Sequence, residues 1–352
     1  VGQIPAVRLG RSDGGIPRHF VTLTDLFVCP KTGEPLHFDG ECFSTPSGMR
    51  YGMEGGIPQF FVTDEPVPEG KSVLDVVKSF YEETPFPNYN DIDSRERLKE
   101  RAGASGFAAL LDEQLPDGAL CLEAGCGTGQ MTNFLGMSAR RKVIGGDICM
   151  NSLKLAKGFR DRHHLRNAAF VQMNLFRPPF RDNAFDVIVT NGVLHHTSDA
   201  RLGFRSLVGK LKPGGLILVG LYNYYGRLTT LWRRWALETF GTGFHWGDPR
   251  LKDSKESAGR FKAWFMDQYR HPHETRHSQD EVLRWFAEDG IEFLSGVPQP
   301  NGKDFTLDTQ LFQPHPPGSA LDRLGVQLGM LLEGGQDGAL FIMIGRKKGG
   351  AA

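Results

Sequence analysis

Between Ala119 and Leu221 short apolar runs alternate with amphipathic stretches, and the alternation predicts a sheet wrapped by helices. Ala119–Glu123, Lys142–Asp147, Ala168–Met173, Phe185–Thr190 and Leu216–Leu221 read as strands buried on both faces, because their apolar residues run on without a polar alternate. Gly129–Met137, Ser152–Arg160 and Ala200–Leu211 space their apolar residues as helices do. Strands alternating with helices imply a parallel sheet covered on both sides, an α/β doubly wound architecture. Farther on, Ser278-Gln279-Asp280-Glu281 has capping-box form ahead of Val282–Phe286, and Gly290 suits the helix stop. Ile291–Val297 and Ala339–Arg346 read as two more strands. Upstream, Val73–Tyr81 has helical spacing and ends at Pro85-Phe86-Pro87, which cannot continue a helix.

The first predicted strand runs into Leu122-Glu123-Ala124-Gly125-Cys126-Gly127-Thr128-Gly129. Glycines at 125, 127 and 129 allow positive φ and let a ligand press against bare main chain. A dinucleotide fingerprint needs a glycine three residues after Gly127, and Gln130 stands there, so a pyrophosphate site is disfavoured. The loop instead resembles the first motif of the class I S-adenosylmethionine (SAM) methyltransferases, an acid followed by alternating glycines. Four further motifs follow in that family's order: the second strand ending in Asp147; Asn174-Leu175 after the third; Phe185 through Asn191 to His195-His196; and Lys212-Pro213-Gly214-Gly215. The resemblance implies a Rossmann-like, mostly parallel seven-stranded sheet closed by an antiparallel end hairpin, with SAM as cofactor. It places the cofactor against Glu123, Gly125, Cys126, Gly127, Gly129, Asp147, Ile148, Asn174, Leu175 and Asn191, with Asp147 on the ribose hydroxyls. Asn174 stands where the family usually has an acid near the adenine, and its amide oxygen can accept from the adenine amino group.

The first sixty residues carry a second resemblance. Phe27-Val28-Cys29-Pro30-Lys31-Thr32, then Ser44-Thr45-Pro46-Ser47, resemble the zinc-ribbon activator domain found with some tRNA and protein methyltransferases. Of the four thiolate positions only Cys29 is kept, with Thr32, Ser44 and Ser47 at the others, and Cys42 is offset by two. Hydroxyls do not replace thiolates at zinc, so no metal is expected. The chain thus divides into a β-rich degenerate ribbon at 1–62, a linker and lid helices at 63–116, and a methyltransferase domain at 117–352 with an insertion at 222–277. The linker proper is the proline- and glutamate-rich passage 63–70.

Composition narrows the partners. Lysine plus arginine equal aspartate plus glutamate, 41 each, so no global basic field draws nucleic acid. No apolar run approaches the roughly 20 residues of a membrane span, and a signal-peptide pattern is missing at the start, which predicts a cytoplasmic protein. Five cysteines form no regular disulfide frame and are expected to be reduced.

Candidate acceptor chemistry lies around the strand ends. Tyr81, Phe86 and Tyr89 either line the active site from a lid or join the two domains as core. The insertion holds Tyr222, Tyr224, Tyr225, Trp232, Trp235, Phe240, Phe244, Trp246, Phe261, Trp264, Phe265 and Tyr269, a density that favours an apolar or aromatic acceptor. Trp232, Trp235, Trp264 and Phe265 also read as helix-facing core. Tyr222 and Asn223, directly after a strand, are the better site residues. Arg227, Arg233 and Arg234 either grip an acidic group or form a solvated helix face. His195 and His196 are candidate bases, since imidazole accepts protons near neutral pH, with a purely structural role as the competing reading. In His271-Pro272-His273-Glu274-Thr275-Arg276-His277 the close spacing suits loop hydrogen bonds into the site roof better than metal, with His273 as the substrate candidate. The expectation is methyl transfer to a small, largely apolar or aromatic acceptor, catalysed by alignment with His195, His196 and Tyr222. The alternatives are a tRNA or protein methyltransferase and a non-catalytic SAM-binding subunit. Residues 299–337 read as a lid or a homodimer contact.

Overall fold

The computed structural model describes residues 23–63, 73–87, 89, 92–240, 265–266, 268–332 and 339–349. Its centre is a seven-stranded sheet of β1 (Leu120–Ala124), β2 (Lys142–Asp147), β3 (Ala168–Gln172), β4 (Phe185–Asn191), β5 (Leu211–Tyr222), β6 (Ile291–Val297) and β7 (Leu340–Lys347), in the order β6-β7-β5-β4-β1-β2-β3. The first five strands pair in parallel. β7 runs antiparallel between β5 and β6, opposing Tyr222 with Leu340. This is the expected α/β doubly wound architecture with its antiparallel end. Among the described residues no helix is long and apolar enough to cross a membrane.

Period-two alternation of buried side chains divides the sheet into two packed faces. Leu122, Ile188 and Ile217 face α6 (Ala200–Lys210), α8 (Gln279–Glu288) and the N-terminal module. Cys121, Val187 and Leu218 face α2 (Arg95–Ala104), α3 (Gly106–Gln114), α4 (Gln130–Leu135) and α5 (Met150–Arg162). Both faces are therefore covered, as a parallel sheet requires. Helix boundaries follow their caps: Ser94, Ser105 and Ser278 each accept the amide three residues on. α1 (Val73–Glu83) extends the expected 73–81 helix by two residues, and α7 (Leu228–Phe240) and α9 (Ala320–Leu332) complete the helices that bear on the site.

The N-terminal module is β-rich, with one three-stranded and one two-stranded sheet of two-residue strands. It docks through rings, Phe27 meeting Phe180 at 5.6 Å between centroids, and through main chain. Phe60 N–H donates to Gln172 carbonyl at 2.9 Å, which pairs the free edge of β3. Where the ribbon pattern would hold zinc, the Glu34 carboxylate accepts from Thr32 Oγ1 at 3.1 Å and Ser47 Oγ at 2.5 Å. Cys29 Sγ lies 3.1 Å from the Tyr51 hydroxyl. A hydrogen-bonded cluster occupies the knuckle. Treating the purified protein with chelator should therefore leave its melting temperature unchanged, with well under one zinc per chain by metal analysis. Stoichiometric zinc that leaves on Cys29→Ser would overturn this account.

Two expectations change. Trp232 and Trp235 are 52% and 54% exposed, so they are not helix-facing core. No residue between 299 and 332 lines the cavity described below, so this stretch is not its lid, and α9 exposes Leu321 and Leu332 at 80% and 86%. α2 shows no apolar stripe, burying Leu98 alone, which is why its limits are not legible from residue spacing. Linker residues 64–70 and the aromatics Phe244, Trp246, Phe261 and Trp264 lie outside the described residues.

Candidate active site

A cavity of about 890 Å³ opens at the carboxyl ends of β1, β2, β4 and β5, the edge where parallel sheets bind ligands. Its floor is the glycine loop. Gly125 and Gly127 have φ of 79° and 51°, and a Cβ on either would lie 2.3 Å from Val193 Cγ1 or from the Phe86 carbonyl oxygen. Only glycine fits beneath the Phe86–Pro87 turn, which Thr128 also holds through its hydroxyl to the Pro87 carbonyl. Gly129 does not line the cavity; it starts α4 in the left-handed conformation against Phe170.

Asp147 closes the end of β2. Its Oδ2 accepts the Gly127 amide at 2.7 Å and its Oδ1 the Cys149 amide at 2.8 Å. Burial still raises its pKa, so the carboxylate is short of partners in the unliganded protein. Each oxygen keeps a lone pair for a ligand hydroxyl. Glu123, held by the Thr132 hydroxyl, is pushed up to about 7 by burial. Ile148 and Leu175 present apolar side chains to the same space. Asn191 reaches it too, and its Oδ1 has no hydrogen-bond partner among the described residues. Bare main chain, a carboxylate with free lone pairs and an apolar slot fit an adenosyl cofactor.

Asn174 and Cys126 line the same cavity. Asn174 is 1% exposed; its Nδ2 donates to the Val62 carbonyl at 3.1 Å and its Oδ1 accepts the Phe176 amide at 3.0 Å. It braces the N-terminal module against the third loop, and its Oδ1 keeps one lone pair beyond that bond. Cys126 is a buried thiol whose pKa burial pushes far up, so it packs and does not react.

At the other end His196 lines the cavity and His195 does not. His195 is fully buried with its ring 3.9 Å from that of Tyr222, and burial holds it well below the usual imidazole range. A base must reach its proton, so His195 is not one. His196 Nδ1 bonds the His273 carbonyl at 3.0 Å. A carbonyl only accepts, so Nδ1 carries the hydrogen and Nε2 keeps its lone pair. Burial lowers His196 to about 4 despite that bond, which leaves the ring neutral at pH 7. The His271 ring lies 3.7 Å away at 31° and packs in turn on Tyr81, which lines the cavity from α1.

Tyr222 lines the cavity, and its hydroxyl accepts from Gln268 Nε2 at 2.6 Å. Gln268 Oε1 accepts in turn from Arg227, a fully buried guanidinium stacked 3.9 Å over the Tyr222 ring. Arg227 meets Glu274 with two bonds of 2.9 and 2.6 Å, and Arg234 reaches the same carboxylate. Arg233 is 9% exposed. Arg227 and Arg234 thus brace the segment that carries His271 and His273; they neither grip a substrate acid nor form a solvated face.

Three substrate candidates lie away from the cavity. Tyr89 stacks on Phe159 at 4.7 Å and accepts from Asn133 at 2.8 Å. Asn223 is buried, its Oδ1 accepting the Tyr225 and Gly226 amides in a turn. His273 contributes its carbonyl, with its ring outside the lining. Among the described residues no histidine, cysteine and acid group is arranged to hold a metal. Gln268 and Glu274 are parts of the site that sequence reasoning missed, Glu274 standing unweighed inside the histidine-rich run.

Residues 122–219 match the family model described as a methyltransferase domain. The chain is 29% identical over 202 residues to an uncharacterized protein of Synechococcus, covering 49% of this chain and 47% of that one. It is 29% identical over 157 residues to the tRNA (carboxymethyluridine(34)-5-O)-methyltransferase of Arabidopsis thaliana, covering 42% and 36%. It is 34% identical over 126 residues to the demethylmenaquinone methyltransferase of Lactococcus lactis, covering 35% and 46%. The chain thus spans less than half the length of each of these relatives. The glycine cradle, Asp147 and the strand order agree with that family match, and residues 122–219 carry a methyltransferase domain.

Proposed function

We propose that the chain transfers the methyl group of SAM to a small, largely apolar acceptor, with His196 taking the proton. The observation that carries this reading is the single cavity running from Asp147 to His196 and Tyr222, roofed by Val73, Leu74 and Val77 of α1. Bound SAM supplies an already activated methyl. The chain's own residues align the acceptor and keep water out. As the new bond to carbon forms, an acceptor hydroxyl becomes a strong acid, so even a weak neutral base such as Nε2 can take its hydrogen. The zero net charge supports a small acceptor over RNA.

The test supplies methyl-labelled SAM together with either a solvent-extracted small-molecule fraction or total tRNA. Label should enter a small apolar product. Transfer to tRNA, with binding that falls steeply as salt rises, would refute the small-molecule reading.

Glu123 adds a pH dependence. Its carboxyl is neutral below about 7 and charged above, and SAM carries one more positive charge than its demethylated product S-adenosylhomocysteine. Preference for SAM over that product should grow a few-fold between pH 6 and 8. Glu123→Gln should flatten the trend in calorimetry. The same raised pKa makes the unliganded fold lose stability as pH rises from 4.5 toward 7, where the unfolded chain has shed a proton that the fold retains. A wild-type preference that ignores pH would remove Glu123 from the donor's surroundings.

A further inference from the structure

Arg101 lies on α2, on the helix face that lines the cavity through Leu98, Ala102 and Ser105. Among the described residues it is the one lysine or arginine that lines this space. The neighbouring cation Arg97 is paired with Glu100 at 3.0 Å, whereas Arg101 makes no ion pair or hydrogen bond among the described residues. Neither cavity acid, Asp147 with its two loop amides or Glu123 with Thr132, forms an ion pair with it among the described residues. Ser105 lines the same wall; its oxygen accepts the Ala108 amide at 3.4 Å, which leaves its O–H able to donate. A guanidinium against otherwise apolar side chains, with a hydroxyl one turn on, matches a planar carboxylate.

We propose that Arg101 receives a ligand carboxylate inside this cavity. Resting on the SAM reading above, the proposal has two sources for that group: the amino-acid end of the cofactor or an acidic acceptor. Both would draw charge-assisted bonds from the guanidinium, and a carboxylate placed in an apolar cavity needs such a partner.

Calorimetry separates the sources. Wild type, Arg101→Gln and Arg101→Lys are titrated with S-adenosylhomocysteine, with 5′-methylthioadenosine, which lacks the amino-acid end, and with decanoate on protein saturated with S-adenosylhomocysteine. Arg101 is exposed on its helix, so the variants should keep the fold. If the cofactor supplies the carboxylate, Arg101→Gln weakens S-adenosylhomocysteine roughly ten- to hundredfold, Arg101→Lys restores part of it, and methylthioadenosine is unaffected. If the acceptor supplies it, S-adenosylhomocysteine affinity holds and decanoate binding is lost in Arg101→Gln. Loss of methylthioadenosine affinity in step with S-adenosylhomocysteine, or no change with any ligand, overturns the proposal. A wild type that binds neither adenosine ligand would strike at the cofactor reading instead, and decanoate on the unliganded protein then decides Arg101.

Discussion

Asp147→Ala should weaken S-adenosylhomocysteine binding by about 2 to 4 kcal/mol, roughly thirty- to a thousandfold, through loss of two charge-assisted bonds to the ribose hydroxyls. The carboxylate also ties the Gly127 amide to the end of β2, so the alanine variant loosens the loop as well as removing the ligand contact. Asp147→Asn separates the two effects. It keeps one acceptor oxygen for the loop and loses the charge, and its binding deficit should be smaller. Stability should move the other way. Burial raises the Asp147 pKa, so its charged form is a net cost to the unliganded fold above the ordinary carboxylate range, and Asp147→Asn should melt no lower than wild type at pH 7. Unchanged affinity in a folded Asp147→Ala protein would remove the adenosyl cofactor from this cradle.

The cofactor half of the site was legible because its signals are local. A glycine loop, the strand before it and an acid at the next strand end all lie within 28 residues, from Leu120 to Asp147, and bare backbone forms the cradle. The acceptor half is assembled by tertiary contacts. His195 and His196 are sequence neighbours, as are Tyr222 and Asn223, yet only His196 and Tyr222 reach the cavity. Tyr222 ends β5, where successive side chains leave opposite faces, so the next residue turns inward as Asn223 does. Tyr81 and Tyr89 looked equivalent as lid aromatics. The Pro85-Phe86-Pro87 turn between them sends one to the cavity and the other against Phe159. Arg227 gave no sign of its partner, because Glu274 lies 47 residues away in sequence. The three arginines read as a patch resolve into braces only once that distance is closed.

His196→Asn should lower kcat by about a hundred- to ten-thousandfold while leaving S-adenosylhomocysteine affinity within a few-fold, because the ring acts on the acceptor's proton and not on the donor. Wild-type turnover should be flat between pH 6 and 8 as far as this ring is concerned and fall as pH drops toward about 4, where the protonated ring loses the Nε2 lone pair. His195→Asn is the contrast. That buried ring packs against Tyr222, so the loss should appear first in melting temperature. Glu274→Gln tests the bracing: it removes the charge opposite Arg227 and should relax the segment whose His273 carbonyl fixes the His196 tautomer. It should therefore lower kcat with KM little changed, in the same direction as His196→Asn and by a smaller factor. A folded His196→Asn protein that turns over at the wild-type rate would take the base away from His196 and leave alignment alone to carry the reaction.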